Sequence, residues 1–311
     1  MEKEKLLSVV IPAFNEELMI EKTTSVIDGL LTSENIPHRL VFVDDGSKDS
    51  TWEKIKACAA VNENVTGVHF SRNFGKESAV YAGLTKSIDA ACSVVIDCDL
   101  QHPPEKIVEM YRLWEQGYEV VEGVKSDRGE ESKLHELCAA AFYGLMSAAT
   151  KIDMKSASDF KLLDRKAVIS LVNMKEKDAF FRALSSWVGY KSTQIKFEVR
   201  EREVGESKWS VKSLIKYAIN NITSFSAVPM QIVTAFGGLA IIIAIIRWII
   251  SLFQRSPVTH GFSSVISAQM LSSGIIMVAL GIIGYYISKI YDEVKDRPKF
   301  IISEICGDIE E

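Results

Sequence analysis

The sequence predicts an α/β fold with a mostly parallel, doubly wound sheet, followed by a membrane-embedded part. Three features carry that expectation. Between Leu6 and Glu115, four apolar runs are each followed by a helical pattern, as in βα units whose sheet is covered on both faces. The fourth run, Cys92 to Ile96, delivers two carboxylates, Asp97 and Asp99, to its carboxyl end, the edge where open α/β sheets place their ligands. No charged residue occurs from Tyr217 to Ile246 or from Ser256 to Ser288, and each stretch holds the roughly 20 apolar residues that cross a bilayer.

Composition sets the outer bounds. The 311 residues are 47% hydrophobic, and the apolar ones gather towards the C-terminus, which points to a soluble part followed by a membrane part. A formal net charge of −5 gives no support to a nucleic-acid partner. The five cysteines, Cys58, Cys92, Cys98, Cys138 and Cys306, are scattered, so neither a disulfide framework nor a zinc site is implied and a reducing setting follows. The apolar run after Met1-Glu2-Lys3-Glu4-Lys5 is too short for a signal peptide and reads as the first strand.

That strand, Leu6 to Ala13, leads through Asn15-Glu16-Glu17 into a helix whose apolar positions include Leu18, Ile20, Ile27 and Leu30. Arg39 to Val43 forms a second strand ending at Asp44-Asp45-Gly46-Ser47. Either Asp44 or Asp45 can accept hydrogen bonds from a base or ribose there, although an Asp-Gly turn alone explains the pattern. Thr66 to Phe70 is the third strand. Arg72 and Lys76 then fall where a strand turns into a helix N-terminus, a place suited to phosphate oxygens, but without a full Gly-rich phosphate loop. After the fourth strand, Asp97-Cys98-Asp99 offers two hard oxygen ligands to Mg²⁺ or Mn²⁺, and Pro103-Pro104-Glu105 starts the next helix. Tyr118 to Val124 is a fifth strand, Lys125 to Glu131 a candidate lid, and Leu134 to Ala149 an amphipathic helix. Ser158 to Leu163 reads as strand-like with Asp159 at its start, and helical pattern resumes from Asp164.

These stretches read as spans of about residues 228–252, where Arg247 near the end can snorkel to the interface, and 264–288, joined by a short connection into a hairpin with both ends on one side. Lys208, Lys212 and Lys216 flank the first span and Lys289, Lys295, Arg297 and Lys299 the second, which places the soluble domain and the C-terminus in the cytoplasm. The lysines at 208, 212 and 216 share one helix face and suit an in-plane interfacial helix. Attraction to anionic lipid and recruitment of one lipid phosphate both remain open for that face. The expected domains are 1–199 catalytic, 200–226 basic and interfacial, 227–290 membrane-spanning and 291–311 a cytosolic tail. Gly237, Gly238, Gly274, Gly281 and Gly284 offer a surface for close helix packing, so a homo-oligomer stays open.

Several ordered stretches resemble glycosyltransferase family 2, and within it the polyprenyl-phosphate glycosyltransferases, both bactoprenol glucosyltransferases and dolichol-phosphate mannosyltransferases. They are Val10-Ile11-Pro12-Ala13-Phe14-Asn15-Glu16, Val43-Asp44-Asp45-Gly46-Ser47, Asp97 to Pro104, Ser158-Asp159-Phe160, and Arg202 with Gly205-Glu206-Ser207-Lys208. Tyr291-Asp292-Glu293-Val294-Lys295 after a two-span hairpin resembles the bactoprenol branch. The resemblance implies a GT-A nucleotide-sugar-binding fold. It places Pro12, Phe14, Glu16 and Asp45 at the nucleotide and Asp97, Asp99 and Gln101 around metal and diphosphate, and Asp44 and Lys76 join the nucleotide-sugar candidates by their places at strand ends. Asp159 falls at the acceptor and Arg202 and Lys208 on phosphates, and Arg200 and Lys212 of the same basic segment are further candidates for the lipid phosphate. Phe14 stands where relatives often carry Tyr, and Cys98 where they often carry Ala; neither change removes the chemistry, since stacking needs only a ring.

The implied reaction is inverting transfer of a hexose, in first place glucose from UDP-glucose, to undecaprenyl phosphate, with Mg²⁺ or Mn²⁺ on Asp97 and Asp99. Asp159, Asp99 and Arg202 are the catalytic candidates. Whether Asp159 is a general base or orients a sugar hydroxyl stays open, because a phosphate monoester with a second pKa of about 6 is already mostly dianionic near neutrality. N-acetylglucosamine, mannose and an aminoarabinose derivative are alternative sugars. A processive synthase would carry more spans and a Gln-x-x-Arg-Trp motif, of which Phe181-Arg182 is only a faint echo, and a catalytically silent scaffold would not need the intact acid pair.

Overall fold

The structure, a computed structural model, describes residues 5–126, 158–174, 176, 181–198, 233–239, 242–243, 245–246 and 261–308. The chain divides into two compact units, Met1–Trp209 with Pro298–Glu311, and Ser210–Arg297.

The first unit is built on an eight-stranded sheet in the order β7-β5-β6-β4-β1-β2-β3-β8. Strands β1 (Leu7–Ala13), β2 (His38–Asp44), β3 (Val65–Phe70) and β4 (Cys92–Val95) alternate with helices α1 (Ile20–Ser33), α2 (Thr51–Val61), α3 (Lys76–Thr85) and α4 (Glu105–Glu115). All four strands run parallel, with β1 central and paired to both β2 and β4. The chain winds outward through β2 and β3, then crosses β1 to lay down β4. The carboxyl ends of β1 and β4 therefore form a topological switch point, where a ligand crevice opens.

Apolar residues on both faces of these strands explain their unbroken hydrophobic runs. Leu40 and Phe42 face one core with Leu7, Val9 and Ile11, where Ile20, Ile27, Trp52, Ile55, Ile107 and Met110 pack on them. Val41 and Val43 point to the opposite face, with Val68, Phe70, Ala79 and Ala82. Successive side chains leave a strand on opposite sides, so a strand covered twice must be apolar throughout.

The rest of the sheet is mixed. Strand β5 (Val120–Lys125) pairs antiparallel with β6 (Lys161–Asp164) and parallel with β7 (Ser192–Phe197), and β6 runs antiparallel to β4. Helix α5 (Arg165–Val172) is capped by the Asp164 side chain, which accepts from the Lys166 amide, and α6 (Phe181–Trp187) follows. The four expected βα units are all present. The expected lid lies outside the described residues beyond Ser126, as does the amphipathic segment from Leu134 to Ala149.

The segment expected to be a tail instead supplies the eighth strand. β8 (Ile302–Cys306) pairs antiparallel with β3, matching Val68 with Ile305 and His69 with Glu304. The Trp52 indole donates to Glu304 at 2.8 Å, Phe300 stacks on Phe70 at 5.1 Å, and the Lys299 ammonium lies 4.0 Å over the Tyr81 ring. A sheet edge presents unpaired backbone groups, and this short strand covers that edge.

In the second unit, α7 (Gly261–Val294) is a 34-residue helix. Its stretch Leu271–Val294 is long and apolar enough to cross a membrane, and none of its most apolar window is buried by protein. The earlier expected span is helical at residues 233–239 and otherwise lies largely outside the described residues, so the two-span hairpin is not seen as such.

Candidate active site

Four loops at the carboxyl edge of the sheet are tied to one another. The Asn15 amide donates to Ser47 Oγ at 2.8 Å, and the Asn15 side chain accepts from the Lys48 amide at 2.9 Å. The Glu16 amide donates to Thr51 Oγ1 at 2.9 Å. These bonds join the loops after β1 and β2 and set out Pro12 and Glu16 half-buried and Phe14 41% exposed, a ring free to stack.

Asp44 and Asp45 are both buried and engaged. Asp44 takes the His69 Nδ1 hydrogen bond at 2.8 Å together with the amide and hydroxyl of Ser47. Asp45 accepts from the amides of Phe74 at 2.6 Å and Gly75 at 2.9 Å. Burial raises the Asp45 pKa above the ordinary carboxylate value, against the pull of those two amides. Gly46 crosses the same loop at φ +65°, where a Cβ would lie 2.4 Å from the carbonyl carbon of Arg72. This contact fixes where α3 begins, and its first residue is Lys76.

Beyond β4 the acid pair splits from its middle residue. Cys98 turns into the core at 2% exposure, and its carbonyl accepts from Thr23 Oγ1 at 2.7 Å. Asp99 is 8% exposed and accepts the Gln101 amide at 3.1 Å, across Leu100 at φ +54°. A non-glycine residue in that left-handed region is uncommon and is held there by its surroundings.

Lys76 joins the elements. Its ammonium stands 2.6 Å from Asp97 Oδ1 and 3.0 Å from Asp159 Oδ2. Asp159, just before β6, is also gripped by Arg182 of α6, Nε to Oδ1 at 2.6 Å and Nη2 to Oδ2 at 2.8 Å. Burial opposes the charge on Asp159, but Lys76 and Arg182 outweigh it and hold the carboxyl well below the usual carboxylate range. Partial desolvation opposes the charge on Lys76, whose side chain stays 43% exposed, yet Asp97 and Asp159 keep its pKa above the usual lysine value. Glu77, which accepts the Phe181 amide at 2.9 Å, is pushed up to about 7 by burial and by the Asp159 charge. His102 lies on Phe160 with ring centroids 5.1 Å apart, and burial lowers its pKa.

Of the residues singled out in the sequence, Lys76, Asp97 and Asp159 meet directly, with Asp99 and Gln101 on the adjoining turn. Arg200, Arg202, Lys208 and Lys212 lie outside the described residues. Arg182, Glu77 and His102 are not among the candidate site residues, although His102 lies in the Asp97 to Pro104 stretch. Arg182 is 23 residues beyond Asp159, and its local signal is the faint echo of a Gln-x-x-Arg-Trp motif in Phe181-Arg182. Among the described residues there is no group of three or more His, Cys, Asp and Glu placed to hold a metal ion. The Asp97–Asp99 turn still fits a cation that takes two protein oxygens and completes its shell with diphosphate and water, the habit of Mg²⁺. The Lys76 ammonium against Asp97 shows that this turn draws positive charge.

An acid pair and two cations converging at a topological switch point suit an α/β fold that takes a phosphate-bearing ligand, and the family match makes it a transferase. The Glycosyl transferase family 2 pattern matches residues 8–162. The chain is 40% identical over 305 residues to YkcC, an uncharacterized glycosyltransferase of Bacillus subtilis (strain 168), covering 96% of this chain and 94% of that one. It is 34% identical over 304 residues to the prophage bactoprenol glucosyl transferase homolog of Escherichia coli (strain K12), covering 96% of this chain and 99% of that one. The bactoprenol glucosyl transferase of Shigella phage SfII is also 34% identical, covering 96% of this chain and 97% of that one. The chain belongs to glycosyltransferase family 2. It is a glycosyltransferase on the GT-A type of α/β fold, with a mostly parallel mixed sheet. Among solved structures, glucosyl-3-phosphoglycerate synthase from Mycobacterium tuberculosis aligns with a TM-score of 0.49 at 19% identity, over 71% of this chain and 79% of that one, too slight a likeness to build on.

Proposed function

We propose that this enzyme transfers glucose from UDP-glucose to a polyprenyl phosphate, undecaprenyl phosphate, at the cytoplasmic face of the cell membrane, with inversion at the anomeric carbon. One observation carries the reading: Lys76, Asp97, Asp159 and Arg182 converge at the sheet edge of a chain similar over 96% of its length to bactoprenol glucosyl transferases. The apolar stretch Leu271–Val294 agrees with an acceptor that lives in a membrane.

Pro12, Phe14 and Glu16 line the nucleoside end, with the Phe14 ring stacking on the base. Asp44 and Asp45 shape that end through the loops they hold. A divalent cation, Mg²⁺ or Mn²⁺, held by Asp97 and Asp99, would supply Lewis-acid stabilisation of the diphosphate leaving group. Lys76 adds a second positive charge beside it, and Gln101 binds a diphosphate oxygen. An oxygen of the acceptor phosphate forms the new bond to the anomeric carbon as the bond to the diphosphate breaks. A dianionic phosphate brings no proton to remove, so this step needs no base. Asp159, weakened as a base by its two cations, orients a sugar hydroxyl. Arg200, Arg202, Lys208 and Lys212 offset the acceptor phosphate charge.

The test uses the full chain in nanodiscs with undecaprenyl phosphate, Mg²⁺ or Mn²⁺, and radiolabelled UDP-glucose, UDP-N-acetylglucosamine and GDP-mannose. Label from UDP-glucose moves into the organic phase if the reading is right. Transfer from a different donor overturns the choice of sugar, and none from any donor overturns the reaction.

A further inference from the structure

Behind the Asp159–Arg182 pair lies a second ion pair that the transfer step does not use. Lys161 is fully buried, a costly place for an ammonium group. Its Nζ stands 2.9 Å from Glu122 Oε1 and donates to Ser185 Oγ at 2.8 Å, Ser186 Oγ at 3.1 Å and the Arg182 carbonyl at 3.3 Å. The same Glu122 oxygen accepts the Ser158 amide at 3.2 Å. One carboxylate on β5 thus holds the residue before Asp159, and one ammonium two residues after Asp159 holds the backbone of Arg182.

We propose that Lys161, with Glu122, is a positioning residue that fixes how Arg182 meets Asp159. The seven described residues of helix α6 do not hold their own geometry without tertiary contacts, since most helical stability in proteins comes from packing. Two side chains hold its described start, the half-buried Glu77 at the Phe181 amide and the buried Lys161 at the Arg182 carbonyl. An apolar pair would fill the same space at little or no loss of stability, since buried ion pairs are replaceable in that sense. It would not hold the Arg182 carbonyl or the two serine hydroxyls. The guanidinium would then lose its register on the carboxylate, and small misplacements at a reacting centre are expensive in rate.

The inference rests on the proposed role of Asp159, so its test reads both an activity and a property independent of activity. Glu122→Gln with Lys161→Met removes the clasp without stranding a buried charge. Amide hydrogen exchange over residues 181–187 is expected to rise at least about tenfold whether or not transfer is detected. In the transfer assay kcat is expected to fall roughly 10–100-fold with the donor KM within about twofold. In an Arg182→Lys background the same double change is expected to lower kcat by less than about threefold, because the group being positioned is already altered. Unchanged exchange overturns the clasp, and so does an equal loss of kcat in both backgrounds, the mark of a purely structural pair. Raised exchange in a protein whose natural sequence transfers no sugar overturns the proposed function and leaves the clasp standing. If the double variant does not fold, Ser185→Ala with Ser186→Ala keeps the ion pair and removes two of its anchors. Raised exchange there supports the proposal and unchanged exchange overturns it.

Discussion

Arg182 holds Asp159 by two parallel bonds, Nε to Oδ1 at 2.6 Å and Nη2 to Oδ2 at 2.8 Å, with Lys76 on Oδ2 at 3.0 Å. A two-pronged guanidinium–carboxylate contact is among the stronger polar contacts in proteins, and a second cation reinforces it. The two cations therefore hold the Asp159 carboxyl well below the usual carboxylate range.

The pH dependence of transfer follows. Because the folded pKa of Asp159 is depressed, its charge is complete above the ordinary carboxylate range and is lost only in strong acid. The acid limb of kcat is expected near pH 6, where the acceptor phosphate takes up a proton. Asp159→Asn should lower kcat at least about tenfold and leave that limb in place. A limb that disappears in Asp159→Asn would mean that Asp159 is the titrating base.

Asp99→Asn is expected to cut transfer at least about a hundredfold, the scale of losing one ligand of a leaving-group cation. Its amide can still accept from the Gln101 amide as Asp99 does, so the thermal midpoint should move little. Differential scanning fluorimetry beside the transfer assay separates the two effects. A variant that keeps full activity would remove Asp99 from the proposed metal site.

Glu77 gives a stability signature of the opposite sign. A carboxyl whose folded pKa is raised favours the folded state fully below its unfolded pKa, here 4.5, and that contribution is lost as pH rises through about 7. Glu77→Gln keeps an oxygen for the Phe181 amide and removes the charge. At pH 8 it should be more stable than the natural protein by on the order of 1–3 kcal/mol, with no gain at pH 4. Denaturant unfolding at the two pH values measures the difference.

The central part of the fold is legible in the sequence because both-face burial writes itself as apolar runs. Leu7–Ala13, His38–Asp44, Val65–Phe70 and Cys92–Val95 all lie within a residue or two of where hydrophobicity puts them. The acid pair is legible for the same reason, since the end of an apolar strand marks the ligand edge. Arg182 and Glu77 are not, because each gains its role from a partner 23 or 104 residues away. β8 escapes for a different reason. It is only half-covered, with the pattern of an exposed edge, and it follows a long apolar helix that draws attention to the membrane.

Gly46→Ala tests the loop framework. The backbone there is at φ +65° and the added methyl would meet main chain of Arg72 and Asn73, which cannot swing aside. A loss of about 2–4 kcal/mol is expected, together with weaker nucleotide binding, because Asp45 and the start of α3 move with that loop. Chemical denaturation and calorimetric titration with UDP measure the two losses.

β8 also sets the order of events at the ribosome. Strands β1 to β7 and the apolar helix α7 are all made before Ile302–Cys306 emerges. Until then β3 is a bare edge, open to pairing with any extended chain nearby, and the Trp52 indole lacks the Glu304 carboxylate. The catalytic sheet therefore reaches its finished form only after the whole of the apolar helix has been synthesised. A ribosome that stalls within α7 would release a domain with a sticky flank, the kind of species that chaperones and proteases remove.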